Sequence, residues 1–199
     1  MVKPAVSSAL QLFEQLAGCP LPEQEHCLQH LKMVRVAAGE TVFQAGETHP
    51  YIYVVRKGLV KLCYWLPDGT ERIKSFGEAG GLFASMAALE PGGLTSFAVV
   101  ALEASELERV ELACLEQLGQ RHLAWQRCLT GAVKRYALRK EIRERDLLIL
   151  KPLERYQTFL AAHPDLARRV PLKDLASYLG ITAVSLSRIR ARLNRATQG

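Results

Sequence analysis

The stretch PLKDLASYLGITAVSLSRIRARL, Pro171–Leu193, decides the reading of this chain, because it holds two short helical patterns around a tight turn. Leu172, Leu175, Ala176 and Leu179 recur at helical spacing, and Gly180 then tolerates the left-handed backbone that a sharp turn needs. Thr182 is positioned to cap the second helix, whose apolar Leu186, Ile189 and Leu193 make one stripe. The other side carries Val184, Ser185, Ser187, Arg188 and Arg192. A helix-turn-helix has this form when its second helix packs by one face and offers the other to a DNA major groove. A plain helical hairpin with a solvated basic face would share the stripe but does not require such tight spacing.

Charge is segregated in the same direction. Residues 1–120 carry 9 Lys/Arg against 14 Asp/Glu, whereas residues 121–199 carry 17 against 6. A polyanionic partner explains that division, since phosphates supply most of the attraction in protein–DNA contacts. The whole chain has 199 residues, 49% of them hydrophobic and 23% charged, enough for one sizeable core or two modest domains. No apolar run reaches the length of a membrane span and no signal-peptide pattern follows Met1, so no membrane partner and a cytoplasmic location are expected. Cys19, Cys27, Cys63, Cys114 and Cys128 are odd in number and scattered, which fits neither a disulfide framework nor a tight zinc motif. They read as small core residues, with oxidation sensing by one free thiol as the alternative.

Upstream, residues 8–33 predict one or two short helices, with Leu10, Phe13 and Leu16 on one side and a break around Gly18–Pro22. From Val34 to about Val110, VRVA, TVFQA, YIYVVRKG, LVKLCYWL, ERIKSF, SFAVVAL and ELERV are candidate strands between turn residues. Pro67-Asp68-Gly69 between two of them is a strong hairpin signal. Short strands with glycine corners predict a small antiparallel β-barrel or jelly roll within an α+β chain. Residues 80–89 read as a loop entering one short helix. Leu118, His122, Trp125, Leu129, Ala132 and Tyr136 then recur at intervals of four and three, as on the seam of a self-associating helix. Packing of that face on its own domain is the alternative. The helix is expected to run toward Leu150 and to break at Lys151-Pro152. The expected domains are a sensor at 1–120, a dimerisation helix and hinge at 121–151, and a DNA-binding domain at 152–199.

Sheet domain, long helix and C-terminal helix-turn-helix in this order resemble the CRP/FNR family of bacterial transcription regulators. The most specific part is Asp174-Leu175-Ala176 through Tyr178-Leu179-Gly180-Ile181-Thr182, followed by Ser185-Leu186-Ser187-Arg188-Ile189. Gly39-Glu40, YIYVVRKGLVKL at Tyr51–Leu62 and VVALEASELERV at Val99–Val110 support it. The resemblance implies a cyclic-nucleotide-binding-like domain, a homodimer joined through the long helix, an inverted-repeat operator in double-stranded DNA, and contact with RNA polymerase. It also implies a winged DNA-binding domain; the chain ends six residues after Leu193, so a wing is expected before the motif. Arg188 matches the family's base-reading arginine and can bond guanine O6 and N7. Many members have glutamate where this chain has Val184, and some have arginine at Ala183; Val184 can offer only apolar contact. Ser187 suits a short polar contact, while Lys173, Thr182, Ser185 and Arg192 suit phosphates.

The effector region departs further. Cyclic-nucleotide binders hold ribose and phosphate with a Gly-Glu pair and a later Arg-Ser or Arg-Thr pair. Ala84 and Ser85 stand at the first, and Leu94-Thr95-Ser96 puts leucine where the arginine would be. Leucine cannot pair a phosphodiester, so cyclic AMP binding is not expected and any small-molecule effector is unidentified. An iron–sulfur cluster would have to recruit distant cysteines, and the histidines, His26, His30 and His49 among them, read as isolated. No metal or cofactor is therefore expected. Two rivals remain. One is a DNA-binding dimer whose sheet domain is structural or docks a protein. The other is a small barrel enzyme, disfavoured because the sequence carries no clustered metal ligands, phosphate loop or nucleophile elbow and offers no catalytic residue.

Overall fold

The computed structural model describes residues 7–197. Helices α1 (Ser8–Ala17) and α2 (Gln24–His30) lead into strands β1 (Lys32–Val36), β2 (Thr41–Phe43), β3 (Tyr51–Lys57), β4 (Leu59–Trp65), β5 (Glu71–Glu78) and β6 (Leu82–Phe83). The short helix α3 (Met86–Leu89) and strands β7 (Ala98–Ala101) and β8 (Ser105–Glu111) follow. The remainder is helical: α4 (Leu112–Arg121), α5 (Leu123–Ile149), α6 (Pro152–Ala162), α7 (Pro164–Arg169), α8 (Leu172–Tyr178) and α9 (Ala183–Thr197). Two compact units result. One runs to Leu62 and resumes at Phe76–Ala137; the other joins Cys63–Ser75 to the chain from Leu138 onward.

In the first unit the strands make two separate four-stranded sheets, ordered β1-β8-β3-β6 and β2-β7-β4-β5. The expected barrel is not formed, because neither sheet closes on the other. At the edges, β6 has two residues and β2 three, with a register shift between Thr41 and Phe43, so neither can carry a ladder onward. The sheets instead face each other across a core of Phe43, Tyr53, Val55, Val60, Leu62, Phe83, Phe97, Val99 and Leu107. Alternation decides which residues go there: Leu107 on β8 points inward, while Val110 joins a second core beneath the helices. That second core packs Leu10, Phe13, Leu115, Leu118 and Trp125 against Ile52 and Val54. Glu108 anchors α1 by accepting from the Ala9 amide and the Ser7 hydroxyl (3.2 Å). Gly131 lets α5 approach α1, since a Cβ there would lie 2.5 Å from the Leu16 carbonyl oxygen.

The long helix is interrupted. His122 is extended (φ −138°, ψ 120°) between α4 and α5, so the proposed seam is divided between two helices. Leu118 and Trp125 are fully buried in the first unit's core and have no side left for a partner. Leu118 and Trp125 thus belong to a helix face packed on its own domain.

The second unit holds the four helices α6 to α9 and the tip of the β4–β5 hairpin. That tip turns at Pro67-Asp68-Gly69, where Leu66 and Thr70 pair and the Asp68 carboxylate accepts from the Thr70 amide. The expected wing is absent among the described residues, which contain no strand beyond Pro152. Only His163 separates α6 from α7, and only Val170-Pro171 separate α7 from α8, which leaves no room for a hairpin before the motif.

Candidate nucleic-acid interface

The turn between α8 and α9 is closed by backbone geometry. Gly180 sits at φ 68°, its amide donates to the Ser177 carbonyl (3.1 Å), and the Ile181 amide donates to the Ala176 carbonyl (3.0 Å). This paired ending stops α8 and redirects the chain within a few residues. Thr182 Oγ1 accepts from the Ser185 amide (3.1 Å), capping α9 as its sequence position predicts. Arg155 and Leu147 each lie 3.2 Å from where a Gly180 Cβ would stand, so the turn is enclosed as well as left-handed.

These contacts give α9 two unlike faces. Leu186 is fully buried, and Ile189 and Leu193 are half-buried beside it. Arg190 turns inward, donating from Nε to the Tyr156 hydroxyl (2.9 Å) and so tying α9 to α6. Val184 is 60% exposed, and Ser187, Arg188 and Arg192 are exposed with it. Val184, Arg188 and Arg192 are spaced by four, so they form a stripe rising about 6 Å per step. Thr182 and Lys173 are exposed; Ala183 and Ser185 are half-buried.

The supporting contacts lay outside the sequence reading. Ser177 Oγ accepts from the Ile73 amide (3.0 Å) and donates to the Glu71 carbonyl, linking α8 to the hairpin tip. Arg143 donates to the carbonyls of Tyr178 (2.7 Å) and Ile73 (3.2 Å), with its guanidinium 4.0 Å from the Tyr178 ring centroid. Lys74 lies near this crossing. Burial first, and then Lys140, Arg139 and Arg143, bring its ammonium down to about 8 from the ordinary 10.5.

In the first unit, the residues aligned with an effector pocket are engaged internally. Thr95 is buried, donating to the Gln44 carbonyl and accepting from the Glu47 amide (2.9 Å). Ser85 is buried and accepts from the Ser96 amide (3.3 Å), Ala84 packs on the helical core, and Ser96 is exposed. Leu94 is 50% exposed to solvent. The space between the sheets holds the rings of Phe43, Tyr53, Phe83 and Phe97, with Tyr53 and Phe83 stacked at 5.0 Å. His49 packs against the Phe43 and Tyr53 rings, its Nε2 2.7 Å from the Tyr53 hydroxyl, and burial holds its imidazole below the ordinary 6.5. Of the seam residues, His122 pairs with Glu23 (2.6 Å), which together with Arg121 holds that carboxyl below its ordinary range. Leu129 packs on the helical core, and Ala132 and Tyr136 are half-buried. All five cysteines are free thiols; burial pushes Cys27 and Cys128 up to about 12, as befits inert core residues.

Residues 33–122 match the family described as the cyclic nucleotide-binding domain. The chain is 26% identical to the fumarate and nitrate reduction regulatory protein of Escherichia coli K12, over 88% of this chain and 76% of that protein. FixK2 from Bradyrhizobium japonicum superposes with a TM-score of 0.75 at 23% identity, over 84% of this chain and 86% of that one. CLP from Xanthomonas campestris, described as a c-di-GMP responsive global regulator, gives 0.69 at 19% identity, over 87% and 91%. The fold is that of CRP/FNR-type regulators. The likeness spans both units, and none of the described helices is long and apolar enough to cross a membrane.

Proposed function

We propose that the protein is a sequence-specific DNA-binding transcription regulator, without catalytic activity, that acts as a homodimer on an inverted-repeat operator. The observation that carries this reading is the two-faced α9: Leu186 is sealed inside while Val184, Ser187, Arg188 and Arg192 stand in solvent. An α-helix so mounted fits the major groove, with Arg188 toward a guanine and Val184 toward a thymine methyl. Arg192, Lys173, Thr182 and Ser185 fix the register on phosphates. Self-association runs through the outer stripe of α5, where Leu138, Ile142 and Ile149 are exposed, at 57%, 40% and 68%, on the side away from Arg143. These three replace the buried Leu118 and Trp125 as contact residues.

The sheet domain works without a cyclic nucleotide. Leu94 offers no cation to a phosphodiester, the buried Thr95 and Ser85 hydroxyls are committed to the backbone, and aromatic rings occupy the interior. This favours a domain that stabilises the dimer or docks a protein over one that encloses a nucleotide. Selection of the intact protein on a random duplex pool tests the main reading. Enrichment of two inverted half-sites about one helical turn apart is expected; recovery of unrelated sequences would overturn it.

A further inference from the structure

Helix α2 carries His26 and His30 one turn apart, and α4 brings Cys114 against them. One ligand atom from each of the three side chains lies within 4.8 Å of the other two. The arrangement has a second feature that hydrophobic packing does not require. His26 Nε2 is buried without a hydrogen-bond partner among the described residues, which is unfavourable for a polar nitrogen unless something else occupies that lone pair or proton. His30 is already oriented: its Nδ1 lies 2.8 Å from the His26 carbonyl oxygen and must donate to it, which in the neutral ring leaves Nε2 as the acceptor nitrogen. Imidazoles that bind metals are held in this way, with the far nitrogen donating to a carbonyl or carboxylate.

We propose that His26, His30 and Cys114 form a site for a zinc-class divalent cation, with one coordination position left to water or a small ligand. Two imidazoles and a thiolate are a donor set for a borderline-soft ion and a poor one for calcium or magnesium, which take oxygen ligands. Tetrahedral zinc, with bonds of about 2.0–2.3 Å, needs its ligands about 3.5 Å apart, so the three side chains close by about 1 Å on binding. His30 is exposed and free to make that movement, while Cys114 supplies the buried end. The frame around them is fixed from both sides. Glu23, at the start of α2, is clamped by Arg121 (2.8 Å) and His122 (2.6 Å) at the end of α4, and Trp125 Nε1 donates to the Pro22 carbonyl (2.8 Å). A bound ion would therefore fasten α2 to α4, the helix immediately before α5, whatever α9 binds. On binding, the Cys114 thiol loses its proton to solvent and its sulfur pairs with the cation, with no change of oxidation state.

Cobalt(II) is the probe, titrated into chelator-stripped full-length protein under reducing conditions. The expected result is one equivalent per chain, a thiolate-to-cobalt charge-transfer band, and displacement by zinc. His30→Gln, at an exposed position, should keep the helical circular dichroism and weaken binding at least about 10- to 100-fold, since even outer-sphere partners of a metal contribute that much. Cys114→Ser should remove the charge-transfer band, whereas Cys19→Ser should retain it. No band in the parent protein, a band that survives Cys114→Ser, or unchanged affinity in folded His30→Gln would each overturn the site. If Cys114→Ser does not fold, His30→Gln decides.

Discussion

Replacing Arg188 by alanine separates reading DNA from holding the fold. Arg188 is exposed on α9 and makes no hydrogen bond or ion pair with a described residue, so its removal leaves nothing unsatisfied inside. Surface changes of this kind stay within about 0.5 kcal/mol, or about 1–2 °C in Tm for a chain of this size. On DNA the same change deletes a bidentate contact to guanine O6 and N7, worth about 1–3 kcal/mol of discrimination, or about 5- to 150-fold in affinity. A dimer presents the residue twice. The two half-sites lie far enough apart for the losses to add, giving about 2–6 kcal/mol across a full operator. The assay is fluorescence anisotropy with the selected operator and with duplexes carrying each alternative base pair, at one fixed salt concentration. The variant should lose preference at one position per half-site and keep it elsewhere. An unchanged ranking of the duplexes would refute the assignment of Arg188, and so would a large fall in Tm, which would show that the residue supports the fold.

Arg192→Ala should weaken operator and random duplex alike and reduce the slope of log K against log salt by about 1 per chain; an unchanged slope would remove it from the phosphate contacts. Leu138→Glu combined with Ile142→Glu should shift sedimentation toward monomer while leaving Trp125 buried, and a persistent dimer would move the interface elsewhere. Lys74 gives a pH test. Its ammonium is held at about 8 in the folded chain against 10.5 ordinarily, so the unfolded state binds the extra proton between those values and stability rises as pH climbs through that window. Below pH 8 the destabilisation is present in full. Lys74→Met should therefore be more stable than the parent to urea at neutral pH and should lack the alkaline rise, and a rise of parental size would contradict the cause given. Calorimetry with cyclic AMP should show no tight binding, and a micromolar site would overturn the argument from Leu94.

Local chemistry made most of the elements legible. Thr182, Gly180 and the Leu186–Leu193 stripe determine the helix-turn-helix by capping, left-handed backbone and periodicity, all short-range effects. The Pro67-Asp68-Gly69 turn did the same for the β4–β5 hairpin. What depends on distant partners was not legible. Whether two sheets close into a barrel is set by edge strands as short as Leu82–Phe83, too brief to leave a pattern. The spacing of Leu118 and Trp125 shows an apolar face but not what covers it, and here the cover is Phe13 of α1, 6.1 Å from the Trp125 ring. His26 and His30 do carry a local signal, since a separation of four on a helix aligns two imidazoles. Cys114, 84 residues beyond His30, joins them only through the packing of α2 on α4.

The most direct test of α9 as a major-groove reader is methylation interference on the selected operator. Dimethyl sulfate blocks guanine N7 in the major groove and adenine N3 in the minor groove, so the two routes of approach are distinguished in one gel. Interference is expected at a guanine N7 in each half-site, and it should vanish with Arg188→Ala. Interference confined to adenine N3, or a guanine signal that Arg188→Ala leaves intact, would contradict the account.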